Sequence, residues 1–366
     1  MKYTSSLLSP LLYFGLAAAS VYSDNANTAI RLLQDKYYNS ATGLYKGPNG
    51  DLWWQSANII TTIARFGQID YSSIPTALYI ISNTYSKAAN QLGASNWKNT
   101  YYDDEGWWAL AWIASYDLTR DPKYLNTAKD IFKDMAGGWT TPCNGGIWWS
   151  KDKQNVNAIA NELFISVAAH LANRVPSNEK QDYVNWAQKD WEWFAQTGII
   201  NQDDLINDGL TLSTCKNDGH NTWTYNQGVI LGGLSELTKA KGDGTYVGSA
   251  NTLASASTTK LAPNGILTEP ASGPLNIDSS MFKGAYVRGL ATLNKNAPQQ
   301  QYTDFLKKNA DSAWNNARNS DGLFTDYWQG GSFNVLVTTQ ASGIDVLVAA
   351  AAAVGGSNFR GMNRRS

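Results

Sequence analysis

Residues 101–108 read Tyr-Tyr-Asp-Asp-Glu-Gly-Trp-Trp, and an apolar run over residues 109–114 follows them directly. The run repeats at helical spacing, so a helix is predicted to begin near the three acids. One interpretation of the acids is structural. Asp103 would cap the helix, and Asp104 and Glu105 would lie in its first turn, where the helix dipole and free N–H groups favour anions.

The aromatic neighbours of these acids favour a second interpretation, a site for sugars. A helix cap needs no tyrosine pair before it and no tryptophan pair after it, whereas carbohydrate sites use both kinds of residue. Aromatic rings offer flat apolar faces, and Tyr and Trp add a polar edge. The chain has 15 Trp and 19 Tyr. That is enough to line a groove for an uncharged ligand and still contribute to a helical core.

The rest of the chain alternates polar amphipathic helices with more apolar ones that are rich in small residues. The predicted polar members are 27–38, 73–91, 122–135, 180–196, 246–258 and 299–316. The predicted apolar members are 58–66, 106–117, 157–173, 225–238, 283–293 and 338–354. The apolar members recur every ~50 to 60 residues, a period that accommodates one helical hairpin with its loops. We therefore predict an all-α chain of six helical hairpins.

A closed ring of these hairpins is predicted, with the apolar helices forming its inner wall. Helices buried on both faces are apolar nearly all round. An open solenoid is the alternative, but its terminal repeats are polar caps, whereas the helix over residues 338–354 is among the most apolar in this chain. In a barrel, the loops that enter the inner helices meet at one mouth. The expected substrate-binding residues on or near these loops are Trp54, Tyr102, Trp108, Trp149, Asp208, Tyr225, Asn226, Gln227 and Lys283.

The adjacent pair Asp103 and Asp104 fits the chemistry of glycoside cleavage. That reaction uses one carboxyl group to protonate the leaving oxygen and another as nucleophile or base. Adjacent residues at a helix start have Cβ atoms roughly 5 to 6 Å apart, which suits the ~5.5 Å carboxyl separation of retaining enzymes. Two carboxylates so close cannot both ionise freely. The pair is expected to titrate as a unit, with one member protonated.

Composition and charge restrict the partners and the compartment. The net charge is −1, and the 29 Lys and Arg are scattered. Nucleic acid and anionic membranes are therefore not expected as partners, because both need clustered positive charge. Residues 1–20 have the charged start, apolar middle and small-residue exit of a signal peptide, so a secreted single domain over residues 21–366 is predicted. We expect a monomer.

The ends of the chain and its cysteines complete the prediction. The polar C-terminus lacks the hydrophobic tail of a lipid-anchor signal, and the apolar run over residues 344–354 is too short to span a bilayer. A membrane anchor is therefore not expected. The two cysteines, Cys143 and Cys215, are predicted to pair in an oxidising compartment. No metal site is expected, because two Cys and two His at no ligand spacing supply too few donors, and no cofactor is predicted.

Three motifs together resemble glycoside hydrolase family 76, the endo-α-1,6-mannanases, in a secreted fungal form. They are the double-aspartate stretch at residues 101–108, Thr-Trp-Thr-Tyr-Asn-Gln-Gly at residues 222–228 and Phe-Lys-Gly at residues 282–284. The resemblance implies an (α/α)6 barrel acting on α-1,6-linked mannose with retention of configuration. It also implies Asp103 as the nucleophile, Asp104 as the acid/base and Asp208 as a substrate-binding aspartate.

Wall-crosslinking fungal relatives carry a C-terminal lipid-anchor signal, and the departure of this chain from that pattern favours a degradative hydrolase. Two rival functions stay open. One is a transglycosylase that transfers mannan to an acceptor sugar with the same aspartates. The other is a non-catalytic mannan-binding protein, which the intact acid pair disfavours. Sugar epimerases on similar barrels rank last, because they rely on histidine bases and this chain has two His.

Overall fold

The computed structural model describes residues 10–331 and 334–355, with only the backbone described for residues 10–20. Twelve α-helices occupy these residues and form six hairpins around one axis. The outer helices are α1 (Pro10–Tyr37), α3 (Ile74–Lys87), α5 (Pro122–Ala136), α7 (Ser177–Gln196), α9 (Val247–Lys260) and α11 (Gln300–Asn316). The inner helices are α2 (Trp54–Gly67), α4 (Tyr102–Thr119), α6 (Ala158–Ala172), α8 (Thr224–Lys241), α10 (Phe282–Asn296) and α12 (Val337–Gly355).

The inner helices close into a ring. Each packs against the next in chain order from α2 to α12, and α12 packs back against α2. The outer helix α1 packs against α12, so the first and last helices of the described chain are neighbours. The Gln340 side chain seals this junction by donating a hydrogen bond of 2.9 Å to the Ala29 carbonyl oxygen. The predicted all-α (α/α)6 barrel is confirmed.

The close approach of two inner helices depends on glycine. Gly228 on α8 faces Gly289 on α10, and a Cβ atom built on Gly289 would collide with the Gly228 carbonyl oxygen. A Cβ atom on Gly228 would in turn collide with the backbone of Tyr286. Side chains at these two positions would push α8 and α10 apart and widen the ring.

Inside the ring, buried charged residues join neighbouring inner helices. Arg288 on α10 forms an ion pair with Asp345 on α12, and the Thr62 hydroxyl also donates to Asp345. Asp345 is 1 % exposed and Arg288 is 7 % exposed. The three helices that carry these side chains are neighbours in the ring, so the polar cluster joins them where an apolar contact would otherwise be expected.

Helix α12 is longer than the sequence analysis expected. It spans 19 residues and is apolar enough to cross a bilayer by length and composition, but 83 % of that span is buried inside the barrel. The sequence analysis counted only residues 344–354 and judged the run too short to cross a membrane, which is wrong because the helix has 19 residues. Its burial fits an inner helix of the ring, which is apolar because it has neighbours on every side.

The start of α4 differs from its expected position. Tyr101 occupies the N-cap position in an extended conformation and makes no side-chain cap, and the helix begins at Tyr102. Asp103 and Asp104 therefore both lie in the first turn. The prediction of Asp103 as the cap is wrong, because the helix starts one turn earlier than the apolar periodicity indicates.

Two small antiparallel sheets, which the sequence analysis did not predict, lie in the loops at the mouth of the barrel. The first joins β1 (Tyr38–Asn39), β2 (Leu44–Gly47) and β3 (Gly50–Leu52), and the second joins β4 (Val156–Asn157), β5 (Gly209–Thr211) and β6 (Lys216–Asn217). Strands of two to four residues are too short to show an alternating pattern. The second sheet pairs Asn157 with Gly209 and so holds Asp208 beside the start of α6.

Cys143 and Cys215 form a disulfide across 72 residues of sequence, which confirms the predicted pairing. Cys143 lies in the loop that leads to Trp149, and Cys215 lies in the turn between β5 and β6. The bond therefore ties together two of the loops that border the mouth. The predicted signal peptide lies partly outside the described residues, and the backbone of residues 10–20 begins helix α1.

Candidate active site

The loop before α4 is held against the loop that carries Trp149. Tyr101 forms a β-bridge with Ser150, and the Tyr102 amide donates a hydrogen bond of 2.9 Å to the Trp149 carbonyl oxygen. These backbone contacts fix where α4 begins. Because Asp103 and Asp104 follow at once, both carboxyl groups are placed at the mouth of the barrel, where each is half-buried.

The two carboxyl groups have different hydrogen-bond partners. Asp103 Oδ2 accepts from the Trp149 indole Nε1 at 2.9 Å, and Asp103 Oδ1 accepts from the Asp104 backbone amide at 2.9 Å. Asp104 Oδ2 accepts from the Asn99 side-chain amide at 2.7 Å. Asp103 thus receives one donor on each oxygen, an arrangement that stabilises its ionised form.

The same difference appears in proton affinity. Burial raises the pKa of Asp103 to about 6, and the bonds from Trp149 and the backbone oppose that rise. Burial also raises the pKa of Asp104 well above its ordinary value, and the negative charge of Asp103 raises it further. Asp103, with a donor on each carboxyl oxygen, is therefore the member of the pair better suited to carry the negative charge, and Asp104 is the member better suited to carry the proton. The two groups divide the roles of a charged and a neutral carboxyl as in other acid/base pairs.

The third acid of the stretch has a structural role. Glu105 is fully buried and its Oε1 accepts from the Lys151 ammonium at 2.6 Å and from the Asn99 backbone amide at 3.0 Å. Lys151 also contacts Asp134 at 2.7 Å. Glu105 is therefore covered, and through Asn99, Lys151 and Asp134 it ties the loop before α4 and the loop after Trp149 to α5.

Three groups of aromatic rings lie around the acid pair. On one side Tyr101 packs against Trp149 with ring centroids 4.8 Å apart, and Tyr101 is 38 % exposed. On another side Tyr225 stacks on Phe282 at 3.9 Å and an angle of 14°. Trp54 forms a third surface by stacking on Trp107 at 6.1 Å. Trp54, Trp149 and Tyr225 are half-exposed, so their rings are available to a ligand.

Asp208 lies near the pair from the opposite loop. Its Oδ2 accepts from the Asn157 side-chain amide at 3.3 Å, and burial raises its pKa. Burial raises the pKa of Tyr225, and the charges of Asp208 and Asp103 raise it further, so its hydroxyl lies within reach of both carboxylates. Asn226 is fully buried and makes no hydrogen bond of normal geometry among the described residues, yet it is close enough to Asp208 to lower the pKa of that carboxyl.

Five of the nine expected substrate-binding residues are buried, namely Tyr102, Trp108, Asn226, Gln227 and Lys283. Trp108 is 0 % exposed and packs against Trp53, Trp97 and Trp112. Gln227 is 0 % exposed, and its amide accepts from and donates to the backbone of Ile206, with both bonds at 2.8 Å.

Lys283 is 2 % exposed and donates to the Asp326 carbonyl oxygen. The predicted contact of Trp108, Gln227 and Lys283 with substrate finds no exposed surface in this structure, because all three side chains are covered. The polar groups of Gln227 and Lys283 bond instead to the backbone of loops. Tyr102 is 7 % exposed, against the backbone of Gly138 and the Lys151 ammonium. It supports the wall of the cleft.

The sequence analysis missed Asp278, another acid in a loop at the mouth. Asp278 lies just before α10, and its charge raises the pKa of both Asp103 and Asp104. Its Oδ1 accepts from the Gln55 side-chain amide at 2.8 Å. The signal that could have found it is the one that selected Asp208, an acid in a loop that enters an inner helix.

Comparison with known proteins agrees with this geometry. The model of the family described as glycosyl hydrolase family 76 matches residues 20–356. The chain belongs to this family. As a member of family 76 it is a glycosidase, and the resemblance seen in the three sequence motifs is confirmed.

Family 76 relatives from fungi and bacteria cover most of the chain. The mannan endo-1,6-α-mannosidase DCW1 of Candida glabrata is 27 % identical in an alignment that covers 92 % of this chain and 84 % of the relative. A putative mannan endo-1,6-α-mannosidase of Schizosaccharomyces pombe is 25 % identical in an alignment that covers 85 % of this chain and 75 % of the relative.

A solved structure shows the same fold. The α-1,6-mannanase of Salegentibacter sp. HEL1_6 has been solved as an inactive variant, with two consecutive aspartates changed to asparagine, in complex with α-1,6-mannotriose. Its TM-score with this chain is 0.77 at 23 % identity, covering 90 % of this chain and 99 % of the bacterial one. At this identity the similarity establishes the barrel alone.

Proposed function

We propose that the protein is an endo-acting, retaining glycosidase that cleaves α-1,6-mannosidic linkages in mannan. The observation that carries the proposal is the adjacent pair Asp103 and Asp104 in the first turn of α4, with a donor on each oxygen of Asp103 and one side-chain donor on Asp104. Fungal family 76 relatives are named mannan endo-1,6-α-mannosidases, and the bacterial relative was inactivated at two consecutive aspartates. Both facts support the same reaction and the same pair.

The different hydrogen-bond partners of the two carboxyl groups assign their roles in the reaction. Asp103, held by donors on both oxygens, attacks the anomeric carbon as the nucleophile. Asp104 gives its proton to the departing glycosidic oxygen and later takes one from the water that releases the covalent mannosyl ester. As Asp103 loses its charge on bond formation, the proton affinity of Asp104 falls. Asp104 then becomes the base that the second step needs.

The surroundings of the pair suit a neutral sugar chain. Rings at Trp54, Trp149 and Tyr225 present flat faces near the acids, and the amide of Asn157 and the carboxylate of Asp208 offer groups for hydroxyls. Rings on more than one side allow sugars to bind on both sides of the cleaved bond, which is what an endo-acting enzyme requires.

Retention of configuration can be read from the first product. If Asp103 attacks and water then displaces it, two inversions occur, so the first reducing end released from α-1,6-mannan has the α configuration. Proton NMR in the first minutes, before mutarotation, measures it. An initial β-anomer would show that water attacks directly. Asp208 would then be the next candidate for the base.

We also propose that residues 1–20 are a leader and that the mature monomer is secreted. The charged and apolar pattern of these residues supports the proposal, and so does the disulfide, which forms in oxidising compartments. N-terminal sequencing of protein recovered from the medium of a yeast culture that expresses the full chain is expected to start between residues 20 and 24. Protein retained in cells with an intact Met1 would contradict the proposal.

A further inference from the structure

We propose, on the basis of the glycosidase function above, that Asn99 is a positioning residue of the reaction. Its side-chain amide binds one oxygen of the acid Asp104 and thereby directs the catalytic proton to the other oxygen. In this role Asn99 neither contacts the sugar nor transfers a proton. It acts through Asp104, by fixing the atom from which the proton leaves.

The side chain of Asn99 is held at both ends. Its Oδ1 accepts a hydrogen bond of 2.8 Å from the Tyr101 backbone amide, and its Nδ2 donates one of 2.7 Å to Asp104 Oδ2. A backbone N–H can only donate, so the atom of Asn99 that faces Tyr101 is the oxygen. The nitrogen is therefore turned toward Asp104, and a half-turn of the amide would break both bonds.

The loop that carries Asn99 is anchored to the core and to α4. Trp97, two residues earlier, is buried, and its ring centroid lies 4.6 Å from that of Trp108. The Asn99 backbone amide donates to Glu105 Oε1 at 3.0 Å. Asn99 is thus joined to the first turn of α4 by its main chain as well as its side chain, so its place relative to Asp104 is fixed.

A donor on one oxygen decides where the proton of a neutral carboxyl lies. In a protonated carboxyl, one oxygen carries the hydrogen and the other is left as the acceptor. Because Asn99 donates to Asp104 Oδ2, that oxygen is the acceptor, and the proton belongs on Oδ1. Within residues 10–331 and 334–355, the bond from Asn99 is the one hydrogen bond that the Asp104 carboxyl makes. Oδ1 is therefore left for the glycosidic oxygen.

The same bond makes Asp104 a stronger acid. Burial is the largest cause of the raised pKa of Asp104, and the charge of Asp103 is the second. The bond from Asn99 opposes that rise, because a donor stabilises the carboxylate that remains after the proton has left. Asn99 thus holds the proton on the oxygen from which it is given and also favours its departure.

The ionised groups around Asp104 do not supply such a donor. Asp103, Asp278 and Glu105 act on Asp104 through their negative charge, and ionised carboxylates only accept hydrogen bonds. The nearby cation Lys151 is engaged by Glu105 at 2.6 Å and by Asp134 at 2.7 Å. Charge from these groups changes how tightly Asp104 holds its proton, but it does not choose between the two oxygens.

Asp208 and Tyr225 act on the other member of the pair. Burial raises the pKa of Tyr225, and the charges of Asp208 and Asp103 raise it further. Asp208 Oδ2 accepts from the Asn157 side-chain amide at 3.3 Å. In the described part of the chain neither Asp208 nor Tyr225 hydrogen-bonds to the Asp104 carboxyl, so the direction of its proton depends on Asn99.

The test compares two substrates whose leaving groups differ in their need for a proton. The sugar that leaves from α-1,6-mannan needs one, whereas the phenolate that leaves from dinitrophenyl α-1,6-mannobioside does not. Asn99→Asp keeps the acceptor for Tyr101 but replaces the donor with a carboxylate oxygen, which would hold the Asp104 proton on Oδ2. We expect kcat/KM on mannan to fall ~100-fold, and kcat/KM on the aryl substrate to change by less than about threefold.

A second variant keeps the turn and removes only the donor. In Asn99→Ser the hydroxyl can still accept from the Tyr101 amide, but it is too short to reach Asp104. We expect a loss of roughly tenfold on mannan and again little change on the aryl substrate. Asn99→Ser also tests the proposal if Asn99→Asp does not fold.

The matched control is Asn39→Asp. Asn39 has the same two kinds of contact, because its Oδ1 accepts from the Ala41 amide at 3.3 Å and its Nδ2 donates to Asp51 at 3.2 Å. Its kcat/KM should equal that of the wild type on both substrates. Equal losses on both substrates in the Asn99 variants would show a merely structural effect and overturn the proposal, as would an unchanged rate on mannan.

Neutron diffraction locates the proton without any substrate. In deuterium-exchanged crystals at a pH where Asp104 is neutral, the deuterium is expected on Oδ1 in the wild type and on Oδ2 in Asn99→Asp. Deuterium on Oδ2 of the wild type, or on neither oxygen, would overturn the role of Asn99. If the wild type releases neither reducing ends from mannan nor dinitrophenolate from the aryl substrate, the proposed function fails, and the neutron map still decides whether Asn99 directs the proton.

Discussion

Asp103→Ala and Asp104→Ala are each expected to lower turnover on α-1,6-mannan by at least ~1000-fold, because one change deletes the covalent step and the other deletes proton transfer. Stability should change little, since each residue is half-buried at the mouth and carries a carboxyl that burial destabilises in its charged form. Release of reducing ends measures turnover, and thermal unfolding measures stability.

Azide separates the two roles. In Asp104→Ala the nucleophile is intact, so a substrate with a good leaving group still forms the ester. Azide can then displace the ester to give an α-mannosyl azide. In Asp103→Ala azide attacks the sugar directly and gives the β-mannosyl azide. Near-normal turnover in either folded variant would remove that residue from the mechanism, and the opposite anomers would exchange the two assignments.

Asp345→Ala is expected to reduce the free energy of unfolding by roughly 3–5 kcal/mol, the cost of breaking a buried ion pair by removing one partner. The loss arises because Arg288 would remain buried without its carboxylate, while the Thr62 hydroxyl would keep only the Asn58 carbonyl oxygen as its acceptor. Burial lowers the pKa of Arg65, and the nearby charge of Arg288 lowers it further. Without Asp345, these two cations would repel each other more strongly.

Urea unfolding followed by tryptophan fluorescence measures this loss. The matched control is Asp203→Ala, which removes the carboxylate of an exposed pair with Lys260 and should cost no more than about 1 kcal/mol. A loss for Asp345→Ala as small as that of the control would show that Arg288 finds another partner or admits water. The ring would then depend on apolar packing alone at this position.

The helical part of the fold could be predicted because its cause is local. Apolar residues at intervals of three and four identify an inner helix wherever it lies in the chain, and the apolar last helix, α12, indicates a closed ring. The start of α4 could not be predicted in this way. Tyr102 is placed there by a backbone bond to Trp149, a residue far along the chain that no periodicity connects to it.

The active-site residues follow the same rule: those marked by a local sequence pattern could be predicted, and those that depend on contacts between distant residues could not. Asp103 and Asp104 stand out because their chemistry is written in adjacent positions with rings around them. Asp278 does not stand out in the sequence, because its partner Gln55 lies on α2, more than two hundred residues earlier in the chain. Trp108 and Trp149 are both tryptophans of loop-to-helix segments, yet one is 0 % exposed and the other half-exposed. Only the packed structure distinguishes a ring that supports the cleft from one that faces it.

The contact of α1 with α12 has a consequence for how the protein matures. Gln340 bonds to Ala29 across 311 residues of sequence, so the ring cannot close until the last helix has left the ribosome. Until then the apolar inner faces of the earlier hairpins lack their neighbours and are open to aggregation or chaperone binding. Barrel closure is thus a late, post-translational event, and a truncation that removes α12 would leave an open and aggregation-prone set of helices.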